Sequence, residues 1–128
     1  MNETDVESAI ATNVMRLLDE WGLDGNQILH VLDLPSKVRL RHLDKFRKGE
    51  AFPHGQHTAV RIEHIAGIAE ALRTTFPRNA YMGSRWLHTP HRRFKNKRPI
   101  ELIVVDADGL KQVRSELDCA YAWDQSGS

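Results

Sequence analysis

The sequence predicts an all-α protein, with a helix-turn-helix region in front (residues 5–55) and a second small helical domain behind it (residues 58–124). Three observations carry that expectation. Apolar residues recur every three or four positions in almost every segment, the spacing of one buried helical face. Glycine and proline punctuate the segments at Gly22, Pro35, Gly49, Pro77 and Pro99, where helices end or begin. The one strand-like run, Ile103-Val104-Val105, has no partner of similar character nearby.

Taken in order, Val6, Ile10, Val14, Leu17 and Leu18 give a first helix over 5–21, stopped by Gly22. Asp24 stands where a cap belongs, and Ile28, Leu29 and Leu32 give a short second helix. Pro35 breaks it, and Ser36 is placed to cap a third helix over about 36–48 that stops at Gly49. After a loop through Pro53 to His57, the best candidate for a domain boundary, Thr58 is placed to cap a fourth helix. Its stripe is Ile62, Ile65, Ala69, Leu72 and Phe76. A fifth helix is expected over 78–87 and a basic loop to Arg98. Pro99 then opens a short helix through Val105. Asp106 to Gly109 reads as a turn, 110–123 as a last helix, and 124–128 as a frayed tail.

Composition bounds the function classes. A chain of 128 residues, 41% hydrophobic and 27% charged, suits a soluble globular protein. No apolar run reaches the roughly 18 residues that span a bilayer, and the first residues are acidic and polar, unlike a secretory signal. With one cysteine, Cys119, an intramolecular disulfide is impossible; a cytoplasmic setting is expected. The net charge of +1 hides segregation. Residues 1–24 carry six acids against Arg16, and residues 37–48 carry six Lys/Arg against Asp44. Residues 78–98 hold seven Lys/Arg and no acid, and residues 99–128 are acidic again. The basic blocks favour phosphate, or pair with the acidic ones within a chain or across a dimer.

Projected at 100° per residue, the third helix turns Leu40, Leu43 and Phe46 toward a core. Lys37, Arg41, Lys45 and Lys48 gather on the other side, with His42 and Asp44 flanking them and Arg39 and Arg47 nearer the apolar edge. Four long cations on one helical face suit the major groove. Ser36, Lys37, Arg41, His42, Lys45 and Lys48 are therefore the candidate DNA-binding residues. The bland alternative is a solvated basic face.

The second half carries a sparse string: Arg61-Ile62, Ile68, Leu72, Phe76-Pro77, Trp86-Leu87, Pro90, Phe94 and Pro99-Ile100-Glu101-Leu102. It continues through Gly109-Leu110, Val113-Arg114, Leu117-Asp118 and Trp123. That string resembles the C-terminal domain of the MbcA/ParS/Xre antitoxin family, the partners of RES-domain toxins that consume NAD. The stretch from Leu34 to Pro53 is similar to the Xre-type pattern, with Phe46 where tryptophan is commoner and a third helix about a turn longer than usual. The chain also departs from the family at His91, where asparagine is usual, and at Lys95-Asn96-Lys97-Arg98, where the family is glycine-rich. The resemblance implies a C-terminal segment that docks on the toxin and obstructs its NAD-binding cleft. Arg114, Asp118, Tyr121 and Trp123 fall there. It implies a homodimer that represses its own operon through operator DNA. It implies no cofactor and no catalysis.

Nothing in the residues argues for catalysis independently. The histidine pairs His54/His57 and His88/His91 lack a third ligand of fixed spacing, so no metal site is expected. There is no glycine-rich phosphate loop and no nucleophile grouping with supporting context. Trp86, Leu87, Phe94, Ile100, Leu102 and Ile103 read most simply as core. The alternative function is a stand-alone helix-turn-helix regulator whose second half only dimerises. A third class is an adaptor that uses the basic patches on RNA or an acidic protein.

Overall fold

A computed structural model describes the backbone of residues 2–127 and the side chains of residues 2–119. The described residues are all-α, with no strand. They divide into two compact units, Met1–Ile62 and Glu63–Ser128.

In the first unit, α1 (Glu3–Glu20) is capped by Asn2, whose side chain accepts from the Asp5 N–H at 2.9 Å. It buries Ala11, Val14, Met15 and Leu18, whereas Val6 and Ile10 on the expected face are 43% and 39% exposed. Gly22 takes φ 83°, which lets the Leu23 N–H reach back to the Leu18 carbonyl at 3.2 Å. Asp24 caps α2 (Gly25–Val31) as expected. Its side chain accepts from the Gln27 N–H at 2.8 Å, and the Gln27 side chain accepts from the Asp24 N–H at 2.9 Å.

The third helix differs from its expectation. Ser36 and Lys37 lie in a turn closed by the Val38 N–H on the Pro35 carbonyl at 2.9 Å, and Arg39 is extended. Helical structure begins only with a 3-10 turn, Leu40–His42, and continues as α3 (Leu43–Arg47). The cause is local. The His42 ring Nδ1 accepts from the Arg39 N–H at 2.8 Å, so the cap sits three residues beyond Ser36. Leu43 and Phe46 are buried as expected, but Leu40 is 50% exposed. α3 packs on α1, and Gly49, at φ 106°, ends it beside Ser8 of that helix.

α4 (Gln56–Thr75) contains the division between the units and starts two residues before the expected cap. Thr58 is a buried helical residue whose hydroxyl donates to the Asp33 carbonyl at 3.2 Å. In the second unit α4 buries Ile65, Ile68, Ala71 and Leu72. α5 (Ala80–Leu87) begins later than the expected Arg78, at the Asn79 side chain, which accepts from the Tyr81 N–H at 3.0 Å. α6 (Pro99–Ile103) has proline in its first turn as expected, and stops before Val105.

α7 (Ala107–Gly127) is longer than expected at both ends. Asp106 is its cap rather than part of a free turn: the carboxylate accepts from the Gly109 N–H at 2.8 Å. Gly109 is buried against α6. A Cβ at this position would stand 2.7 Å from the carbonyl carbon of Leu102. Leu110, Val113 and Leu117 follow at helical spacing and close the core of the unit with Leu87, Phe94, Ile100 and Ile103.

Candidate functional site

The basic stretch of the first unit is sorted by its hydrogen bonds. Arg47 is committed to the fold. Its Nε and Nη2 each donate to Asp19 at 2.9 Å and its Nη1 donates to Asp44 at 2.8 Å. The hydrogen bond to Asp19 is the main reason its pKa is raised. His42 is half-buried and serves as the cap of the 3-10 turn. Arg41, Lys45 and Lys48 remain exposed, on the 3-10 turn, on α3 and at its end respectively. Ser36 and Lys37 are exposed too, but on the preceding turn and not on the helix. The single helical face of four cations therefore reduces to a short helix with cations before, on and after it.

A cavity of about 310 Å³ opens beside α1, lined by Glu7, Ile10, Phe52, His54, Thr58 and Ile62 among others. Its chemistry is spent. Glu7 and His54 bond each other at 2.8 Å, and the Thr58 hydroxyl is given to a backbone carbonyl. Among the described residues no group of three or more His, Cys, Asp or Glu could hold a metal ion.

In the second unit the outer side of α7 is polar. Lys111, Gln112, Ser115, Asp118 and Cys119 are exposed. Arg114 and Asp118, one turn apart, do not pair. The Arg114 side chain lies over Gly67 of α4, leaving no room there for a Cβ. Its Nη1 stands 3.4 Å from the Glu63 carbonyl, 3.3 Å from His64 Nδ1 and 3.9 Å from the Glu63 carboxylate. Asp118 is left open to solvent. The side chains of Tyr121 and Trp123, the two aromatic candidates, lie outside the described residues.

The segment between α5 and α6 is a closed loop. A single antiparallel bridge joins His91 and Lys97, and Phe94 is anchored in the core at the end of a 3-10 turn, Arg92–Phe94. The His91 ring stacks on half-buried Trp86 at 4.8 Å and donates from Nε2 to the Trp86 carbonyl at 3.0 Å. Lys95 and Asn96 take φ 57° and 64°, left-handed values that glycine would adopt at least cost. Arg93 reaches Glu116 of α7 at 2.6 Å, and the Arg98 N–H donates to Glu101 at 2.8 Å. That second bond is the chief cause of the lowered pKa of Glu101. Neither the Gly67 slot under Arg114 nor the Arg93–Glu116 bond was readable from spacing. Gly67 inside a helix was the one available signal.

Residues 71–120 match the family model of the antitoxin Xre/MbcA/ParS C-terminal toxin-binding domain. The match begins in α4, takes in α5, the loop and α6, and ends on α7 one residue before Tyr121. No curated protein matches the chain.

Proposed function

We propose that this chain, which carries the C-terminal toxin-binding domain of the Xre/MbcA/ParS antitoxins, neutralises a RES-type NAD-degrading toxin by covering its cleft, and represses its own operon. The observation that carries the reading is the match over 71–120, a stretch that buries Leu72, Leu87, Phe94, Ile100, Ile103 and Leu117. Asp118, on the exposed side of α7 with its open carboxylate, would meet the toxin, and Tyr121 and Trp123 would serve as aromatic anchors of the kind enriched at interfaces. Arg114 supports that surface from behind, holding α7 to α4. Occlusion needs no cofactor and no catalytic group.

The first unit would take the operator, as a homodimer using α2, the turn and α3 as a helix-turn-helix. The turn is longer than the tight form that the motif usually has. Arg41, Lys45 and Lys48 would contact the groove and its phosphates. Lys37 and Ser36 on the turn would meet the backbone, where side chains position rather than read.

The test is co-expression with a RES-domain protein encoded beside this chain, following co-purification and cellular NAD. A stable complex, with NAD collapsing only when this chain is absent, is the expected result. No complex and steady NAD would leave a solitary regulator as the account of the same residues.

A further inference from the structure

We infer that the loop from His91 to Arg98 is a second nucleic-acid contact, which grips the phosphate backbone of duplex DNA without reading its sequence. It rests on the proposed DNA-binding role only for the choice of duplex. The charge here is one-sided. The stretch 78–98 has seven Lys/Arg and no acid. Two of these, Arg93 and Arg98, are engaged with Glu116 and Glu101. Arg92, Lys95 and Lys97 are exposed, with no ion pair within 4 Å and no side-chain hydrogen bond among the described residues, although Lys97 adds to the field that lowers the pKa of Glu101.

The loop that presents them is built, not slack. The His91 N–H bonds the Lys97 carbonyl at 3.2 Å and the Asn96 N–H bonds the His91 carbonyl at 3.0 Å, while Phe94 is 4% exposed. Fixing the backbone beforehand lowers the ordering cost of binding. Two successive non-glycine residues in the left-handed region are a strained choice, and such strain persists where the side chain is needed. Lys95 occupies a site that glycine would fill more cheaply.

The kind of partner follows from what is missing. Protein interfaces are anchored by aromatic and apolar side chains. Here Phe94 is turned into the core and Trp86 is half-covered by His91, so the tip offers cations, an amide and backbone only. That is the chemistry of a phosphate contact, and interfaces with DNA are correspondingly polar and positive.

The test uses the full chain and a duplex DNA of unrelated sequence, with affinity measured across a range of salt. Arg92→Gln, Lys95→Gln and Lys97→Gln together should reduce the slope of log affinity against log salt by about 0.9 for each phosphate no longer neutralised. Affinity at low salt should drop by about ten-fold or more, with an unchanged thermal unfolding profile. An unchanged slope overturns the inference, as does a parent chain that binds no duplex. Loss of toxin binding with DNA binding intact would assign the loop to an acidic protein surface and overturn it too. A parallel pair, Arg41→Ala with Lys45→Ala, separates the two readings. If only the pair weakens DNA binding, the loop inference fails and the helix-turn-helix stands. If only the loop variant does, the loop stands and the helix assignment falls.

Discussion

The two units are locked by different means. In the first, neighbouring segments are clasped by polar side chains: Arg47 to Asp19, His42 to the Arg39 N–H, Thr58 to the Asp33 carbonyl, and Arg61 to the Val31 carbonyl at 3.1 Å. In the second, the tightest point is backbone against backbone: α7 meets α6 at Gly109 so closely that a Cβ there would strike the Leu102 carbonyl. A clasp can give up one hydrogen bond and relax. A tight backbone approach cannot. The first unit should therefore yield gradually to substitution and to salt, and the second sharply and at a few positions.

The largest effect should come from Gly109→Ala, because the new methyl would meet the Leu102 backbone, which has no rotamer to escape into. Loss is expected at or above the top of the roughly 1–3 kcal/mol that overpacking costs, read by denaturant unfolding. Gly83→Ala should be close to neutral by the same assay, since its nearest neighbour is the Leu72 side chain at 3.4 Å. Equal losses at the two sites would show that the backbone approach at Gly109 is not what makes it sensitive. In the first unit Gly49→Ala should cost about 1–2 kcal/mol, from its positive φ, with Ser8 Oγ adding crowding at 2.7 Å.

Arg47→Ala should cost less, about 0.5–1 kcal/mol, because its side chain is 36% exposed and the ion pairs are screened. The loss should shrink as salt is added; a salt-independent loss would mean that packing, not charge, holds α3 to α1. The last effect, a small one, concerns Glu101. Its pKa is lowered in the folded chain, so its contribution is present above the ordinary carboxylate range and is lost as pH falls through the folded value. Glu101→Gln keeps an acceptor for the Arg98 N–H and should flatten that part of the melting-temperature profile against pH. An unaltered profile would show that the carboxylate plays no part in it.

What was legible in the sequence follows the same division. Pro99 and Phe94 each have one plain physical reason to be what they are, and the structure places them accordingly: a helix start and a core ring. Gly109, which reads as the end of a turn, is instead the close approach of α7 to α6. The polar clasps were mostly hidden. Leu40, Leu43 and Phe46 fit a helical period, so 36–48 reads as one helix, but periodicity cannot weigh the turn through Pro35 to Val38 or the imidazole cap of His42. α7 was underestimated because Asp106 beside Gly109 reads as readily as a turn as it does as a cap. The Asp24 cap is legible because aspartate before an apolar run is a strong helix-start signal; the reciprocal bond from Gln27 is seen only in the structure.

The stacking of His91 on Trp86 gives the chain a built-in optical gauge. Indole emission is sensitive to an imidazole 4.8 Å away, and this imidazole is tied through its own backbone to Lys97 at the base of the basic loop. Any partner that shifts the loop must disturb that stack. The difference spectrum between the parent chain and Trp86→Phe would then report occupancy at this point without a label, and would separate a partner held here from one held on α7.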